Sequence, residues 1–336
     1  MALAPDQAGQ GTAVFADLFD HADVTGIVPL DTQLGVDAPS CVPDALFPPL
    51  FGPDADGTTP QTYAILDAAK LSLLPDMIEA AGCPAACLFQ GEAAAQYRDC
   101  APWLVALGPQ DKLTRGLMTD CPGPTGLWAR ELGMFIRCTS SFDALWRHLR
   151  RFVRLRQTAD DAWFYFRFWE RHVPLGLATA QADAPRALMQ ALLAPVGGAP
   201  QRWVICDAIT RSADILTLSA PERVTPQAPA LHPDTLAALQ HSTAHAQMRG
   251  ELHEAMADLN DAVRAEYQSD TRLVDLWQYL HKTRFTERAQ RIEAVRGYLT
   301  LAFAHREDTA WRILNTKAQG PKIRLWHLQR AVEAAA

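Results

Sequence analysis

The sequence predicts an α/β domain, with a mixed sheet and flanking helices, followed by an all-α C-terminal region. Short apolar runs alternate with amphipathic segments as far as residue 219, which is typical of α/β domains. A proline-rich stretch follows, and beyond it every segment has helical periodicity. We therefore divide the chain into an acidic Pro/Gly-rich extension (1–60), an α/β domain (61–219), a linker (220–233) and a helical domain (234–336).

Strands are expected where short apolar, β-prone runs end in turn residues. These are residues 63–66, 87–89, 103–107, 132–138, 202–207 and 215–218. Helices are expected where apolar residues recur at helical spacing, with Gly82 as a C-cap and Ser140 or Ser141 as an N-cap. They are residues 70–81, 110–118, 142–152 and 184–193, and, in the C-terminal region, 234–267, 271–281, 287–304 and 322–335.

The segment 140–173 is expected to organise the α/β domain. Its helix is followed by a turn at Asp160 and Asp161 and then by an aromatic run, residues 163–169, which we predict to be a central strand. The helix then joins the strand 132–138 to this second strand, as in a crossover unit, although mixed or antiparallel pairing stays open.

Composition and charge narrow the function classes. The 336-residue chain is 49% hydrophobic and has a net charge of −7, of which residues 1–69 carry −10, which leaves +3 on the remainder. No apolar run reaches the roughly 20 residues that span a bilayer, and the start lacks the features of a secretory signal. Seven scattered cysteines suit a reducing compartment. We expect a cytoplasmic protein with no membrane insertion.

Catalytic signatures are weak in this sequence. His241 and His245 lie four residues apart and can chelate a metal, but His253-Glu254 is followed by Ala257 where a zinc-protease motif requires histidine. No phosphate-binding glycine loop or nucleophile elbow is present. We therefore predict a protein that is not an enzyme; the alternative is an enzyme of unknown reaction that uses a metal at His241 and His245.

An arginine stripe is the other candidate feature. Arg147, Arg150, Arg151 and Arg154 fall largely opposite the apolar face of the predicted helix 142–152. Such a stripe can follow nucleic-acid phosphates, but the neighbouring aromatics read as core and the chain is acidic, so no nucleic-acid partner is expected. Arginine also pairs specifically with acidic protein surfaces, and this interpretation and a simple solvated face are equally favoured.

Five short motifs occur in the order and spacing of one known family. They are 63–67 (YAILD), 101–105 (APWLV), 132–138 (LGMFIRC), 148–152 (HLRRF) and 167–170 (RFWE). Together they resemble the effector adaptor, or chaperone, domain of type VI secretion systems, over residues 60–220. The family pattern at the last motif is close to Arg-Phe-Tyr-Asp-Pro-Arg-Val, whereas this chain places Arg171 at the proline position.

The resemblance implies a cytoplasmic adaptor that binds a toxic effector and helps to load it onto the VgrG or PAAR spike of the secretion apparatus. It implies no cofactor. On this basis we predict that partner binding uses a set of arginines and one glutamate: Arg147, Arg150, Arg151, Arg154, Arg167 and Glu170.

Overall fold

A computed structural model describes residues 18–221, 229–257, 259–260, 262–263, 267 and 272–335. The chain forms two compact units, residues 1–242 and 243–336. The first unit contains two β-sheets with helices, and the second is helical. The predicted fold class is therefore confirmed.

A seven-stranded sheet forms the centre of the first unit. All its neighbouring strands are antiparallel, in the order β1-β9-β8-β5-β2-β4-β3. A separate three-stranded sheet has the order β10-β6-β7, in which β10 is parallel to β6. The strands are β1 Phe19–Val24, β2 Gln61–Asp67, β3 Ala85–Cys87, β4 Pro102–Leu107, β5 Gly133–Cys138, β6 Arg154–Gln157, β7 Trp163–Tyr165, β8 Arg202–Asp207, β9 Ser212–Leu218 and β10 Ala230–Leu231.

Helices connect these strands and cover both faces of the large sheet. They are α1 Phe47–Phe51, α2 Leu74–Ala81, α3 Glu92–Gln96, α4 Lys112–Met118, α5 Phe142–Leu149, α6 His172–Ala178 and α7 Asp183–Leu193. Side chains of β2 alternate between two cores. Tyr63 and Ile65 lie in one with residues of α5 and α7, while Ala64 and Leu66 lie in the other with residues of α1, α2 and α4.

Local signals placed several elements well. Helix α2 ends at Gly82, whose left-handed conformation (φ 67°, ψ 15°) is the one glycine tolerates best. Helix α5 begins after Ser141, whose side chain accepts a hydrogen bond of 3.3 Å from the Ala144 N–H. Its apolar side, including Leu145 and Leu149, is buried in the core.

The prediction of a central strand over residues 163–169 is wrong. Only Trp163–Tyr165 is a strand, and it forms the edge of the small sheet with all three side chains exposed. Phe166, Phe168 and Trp169 are buried, but they follow the strand as a turn. The crossover unit is absent too, because β5 and β7 belong to different sheets.

Residues 18–60 belong to the first unit and are not an extension. Strand β1 pairs with β9 along its whole length, and Leu46 and Leu50 are completely buried. At the other end, residues 222–228 of the predicted linker lie outside the described residues, while β10 pairs with β6. The predicted boundaries therefore do not coincide with the observed division at residue 242, because sheet pairing recruits both flanking segments.

In its described residues, the second unit contains the end of α8 and four further helices with defined bounds, around one apolar core. Their bounds are α8 Pro233–Ala257, α9 Arg272–Lys282, α10 Arg288–Phe303, α11 Glu307–Leu314 and α12 Pro321–Glu333. The sequence prediction omitted α11. It extended α8 to residue 267, whereas the structure gives α8 as Pro233–Ala257; residues 258, 261 and 264–266 of the predicted extension lie outside the described residues. Among the described residues, no helix has both the length and the apolar character needed to span a membrane.

Candidate functional site

The hairpin of β6 and β7 has two chemically different faces. Strand register places Arg154 opposite Tyr165 and Arg156 opposite Trp163, so arginines and aromatics share one face. On the other face, buried Leu155 lies opposite Phe164. The Arg-Leu-Arg alternation of β6 thus fixes which side of the hairpin meets the core.

Contacts connect the arginine-bearing face of the hairpin to the segment around Phe89, which also contacts Trp146. The Arg154 guanidinium lies 4.5 Å from the centre of the Trp163 ring, and the Tyr165 ring packs 5.7 Å from Phe89. Two residues before Phe89, the Cys87 carbonyl accepts a hydrogen bond of 2.9 Å from the Trp146 indole. We call this the cationic-aromatic surface; it comprises Phe89, Trp146, Arg150, Arg154, Trp163 and Tyr165.

Arg150 completes the cationic-aromatic surface at the end of α5. Its guanidinium lies 4.4 Å from the centre of the Trp146 ring. Stacking of this kind holds an arginine in place while its N–H groups stay available to carboxylates. The surface therefore offers two preoriented cations beside exposed aromatic rings.

Two other predicted arginines lie outside this surface. Arg147 is exposed and donates to the Asp143 carbonyl of its own helix at 3.2 Å. The Arg151 guanidinium lies 3.3 Å from the Nδ1 atom of buried His148 and near the Phe152 ring. Burial lowers the pKa of His148, despite its hydrogen bond with the Leu192 carbonyl. The predicted stripe is thus divided by the structure into arginines with different neighbours.

Arg167 and Glu170, the remaining predicted residues, lie in a separate charged network. The Arg167 guanidinium contacts the carboxylate of Asp67 at 2.5 Å and that of Glu170 at 2.6 Å. Asp67 is the last residue of β2 and is buried, whereas about half of the Arg167 side chain is exposed. A buried carboxylate with a cationic partner is firmly anchored, so Asp67 fixes the position of the turn at 167–170.

Arg171 extends the charged network to two more strands. Its guanidinium is 2.9 Å from the Asp207 carboxylate at the end of β8 and 3.3 Å from that of Asp214 in β9. The neighbouring His172 lies 3.5 Å from Glu170, and burial lowers the pKa of His172 while the Glu170 carboxylate opposes that shift. A proline at position 171, as in the family pattern, has no side chain that makes these ion pairs.

The charged network joins residues whose sequence motifs are far apart. Asp67 comes from the YAILD motif and Arg167 from RFWE, which are separated by 100 positions. Arg171, Asp207 and Asp214 were missed as network members by sequence reasoning. The signal for Asp67 was available, since a carboxylate that directly follows an apolar run, here residues 63–66, requires a cationic or N–H partner when it is buried.

The exposure of Trp163 and Tyr165 was also missed. These residues were assigned to the core because the aromatic run is continuous. The usable signal was in β6, where arginines at positions 154 and 156 alternate with Leu155 and are paired with Tyr165 and Trp163 across the hairpin. Side chains opposite two arginines share their solvent-facing side.

Within the ranges that the structure describes, no three His, Cys, Asp or Glu side chains come together as a metal site. His241 and His245 are both exposed on α8. The seven cysteines are free thiols, and burial raises the pKa of Cys206 to about 12, which keeps that thiol protonated.

Comparison with known families adds one finding. Residues 62–187 match the family model described as a domain of unknown function (DUF4123). No curated protein and no solved structure matches the chain. The matched segment runs from β2 into α7 and contains the whole cationic-aromatic surface together with Arg167, Glu170 and Arg171. This part of the chain is therefore similar to that family.

Proposed function

We propose that the protein is a cytoplasmic adaptor that binds a type VI secretion effector and helps to load it onto the VgrG or PAAR spike. The proposal takes its system from the ordered motifs between residues 63 and 170. Its support in the molecule is the cationic-aromatic surface. Exposed tryptophan, tyrosine and arginine are the residue types that contribute most to binding at protein interfaces.

The position of this surface supports a binding role. Trp163 and Tyr165 are 58% and 57% exposed, although they are large aromatics. Arg150 and Arg154 are stacked on tryptophan rings, and neither forms an ion pair with a carboxylate among the residues that the structure describes. Such arginines lose little conformational freedom on binding and favour an acidic partner.

Co-purification and secretion test the proposal together. We expect the tagged chain to retain the effector and the spike protein encoded beside its gene, and deletion of the gene to abolish secretion of that effector. Complementation with the double variant Arg150→Glu, Arg154→Glu should leave secretion defective. Each substitution places a negative charge against the acidic surface of the partner and so weakens binding. In double-mutant cycles, the coupling energy between two close charges at an interface is about 1.5 kcal/mol or more.

A matched charge reversal provides the control. Lys112 and Arg130 are exposed residues of the same unit that lie outside the cationic-aromatic surface. The double variant Lys112→Glu, Arg130→Glu changes the net charge equally and should restore secretion. Secretion that persists after gene deletion would contradict the adaptor function, and equal defects in both double variants would contradict the assigned surface.

A further inference from the structure

We propose that the outer edge of β7 is a docking strand, to which an extended protein segment of alternating acidic and apolar residues adds as the next strand of the small sheet. The inference rests on the proposed adaptor function, since it names the kind of partner segment that the cationic-aromatic surface binds. Strand addition is an established way for folded domains to hold peptides, with main-chain hydrogen bonds giving affinity.

The backbone of β7 has hydrogen-bonding groups on its free side. The Gln157 N–H donates to the Ala162 carbonyl and the Phe166 N–H donates to the Val153 carbonyl, so these pairs are of the hydrogen-bonded type. Because such pairs alternate along antiparallel strands, the N–H and C=O groups of Trp163 and Tyr165 point away from β6. In the described part of the chain, no strand pairs with this side of β7.

The other sheet edges are protected and β7 is not. Edge strand β1 carries Asp20, His21 and Asp23, which discourage pairing with another chain. At the opposite edge of the large sheet, the Cys87 carbonyl of β3 already accepts a hydrogen bond from the Trp146 indole N–H. Strand β10 has only two residues.

Strand β7, in contrast, consists of three exposed aromatics and carries no charge. An edge of this composition is an aggregation hazard unless a partner covers it. The contrast with the protected edges points to a strand that is built to be covered.

The side chains around β7 define the chemistry of the segment that pairs with its free edge. An added strand places alternate side chains beside Trp163 and Tyr165 and the others beside Phe164. The first set faces Arg154, whose guanidinium already lies over the Trp163 ring and so reaches toward the free edge. Arg156 is paired with Asp161 at 3.0 Å, which leaves Arg154 as the cation for an acidic residue. The second set of side chains in the added strand contacts the partly exposed Phe164 ring, so we expect these side chains to be apolar.

A peptide-binding measurement on the full chain tests the proposal. The probe is a fluorescein-labelled peptide of about ten residues that alternates glutamate and valine, a length typical of long strands. Controls are a peptide of the same composition with glutamates and valines in two blocks, and an oligothymidylate of equal length. We expect the alternating peptide to bind with a Kd below about 1 mM and more tightly than both controls.

Two variants at Tyr165 distinguish the contribution of the backbone N–H to peptide binding from that of the side chain. Tyr165→Ala removes the ring and keeps the outward N–H, whereas Tyr165→Pro removes both. Proline is tolerated on an edge strand where its N–H position faces solvent. We expect Tyr165→Pro to weaken binding by about tenfold more than Tyr165→Ala, because it deletes a main-chain hydrogen bond and obstructs strand pairing.

Hydrogen exchange provides a readout that does not depend on the proline variant. The amides of Trp163 and Tyr165 should become protected when the peptide binds the unmodified chain, while that of Arg147 should not change. Three results would overturn the proposal: no binding of the alternating peptide, equal loss in both Tyr165 variants without amide protection, or preference for oligothymidylate, which would indicate a nucleic-acid surface.

The peptide-binding experiment and the adaptor test can each give a negative result independently of the other. Co-purification of an effector that is retained by the Tyr165→Pro variant would refute strand addition and leave the adaptor function standing. Conversely, peptide binding with amide protection can be observed even if deletion of the gene leaves effector secretion unchanged, which would refute the adaptor function alone.

Discussion

Replacing Glu251 with leucine should strongly destabilise the helical unit. Glu251 and Arg291 are both almost completely buried and form a two-point ion pair, with distances of 2.6 Å from Nη2 to Oε1 and 2.8 Å from Nε to Oε2. The Glu251 carboxylate also accepts a hydrogen bond of 2.6 Å from the Trp277 indole. Leucine leaves the arginine charge and the indole N–H buried without this partner.

The size of the effect follows from what stays behind. Among the described residues, Arg291 then keeps its hydrogen bonds to the carbonyls of Phe285 and Thr286, at 2.9 Å and 2.8 Å, and no carboxylate partner. Removing one member of a buried ion pair costs about 3–5 kcal/mol, because the other charge is left uncompensated. The double variant Glu251→Leu, Arg291→Met removes both charges, so its cost should be smaller than that of Glu251→Leu alone.

Urea denaturation followed by far-UV circular dichroism measures the change in the free energy of unfolding. Hydrogen exchange of α9 and α10 identifies the transition that belongs to the helical unit, since two units need not unfold together. The matched control is Glu254→Leu on the same helix, because Glu254 pairs with Arg288 at the surface and such pairs contribute at most about 1 kcal/mol. Two results would refute this prediction. The first is that Glu251→Leu lowers the free energy of unfolding no more than Glu254→Leu does. The second is that the double variant loses as much stability as the Glu251→Leu and Arg291→Met single variants lose together.

Three further perturbations test other parts of the structure. Phe166→Asp should unfold the first unit, because an unpaired buried carboxylate costs several kcal/mol, while Tyr165→Asp at the neighbouring position on the exposed face should lower the thermal unfolding temperature much less. Arg171→Pro should destabilise the first unit by about 3 kcal/mol, since Asp207 loses a cationic partner. Thermal unfolding, measured beside Arg171→Lys, checks this prediction, and stability equal to that of the unmodified chain would contradict it. Burial lowers the pKa of His148, so the stability that this residue contributes is fully present above about pH 6.5 and falls as the pH drops below that value. His148→Gln should therefore make the free energy of unfolding depend less on pH in this range. An unchanged pH dependence would exclude His148 as its source.

Local signals in the sequence predicted most of the elements but little of their assembly. Gly82 ends α2 and Ser141 begins α5 because capping depends on a few neighbouring residues. Apolar runs also located β2, β4, β5 and β8 to within one or two residues. The division into two sheets was not predictable in this way, because it depends on contacts between residues distant in the chain.

The candidate site shows the same limit. Arg150, Arg154, Arg167 and Glu170 were found from the sequence by residue type, and their assignment to partner binding stays a prediction. Their neighbours were not found, since Asp67 reaches Arg167 only after β2 and the turn beyond β7 have been brought together. The aromatic run misled for a physical reason: burial of Phe166 and exposure of Tyr165 differ by one residue, so they depend on strand register and not on composition.

The pairing of β1 with β9 has a consequence for how the chain is made. Strand β1 precedes its partner in the chain by almost 200 residues, with Phe19 opposite Leu218. Strand β1 therefore has no partner in the large sheet until residue 218 has been synthesised, and contacts of such long range form slowly. A truncation that removes the residues through Val24 would leave β9 as a bare edge, so a shortened form of the protein should begin before Phe19.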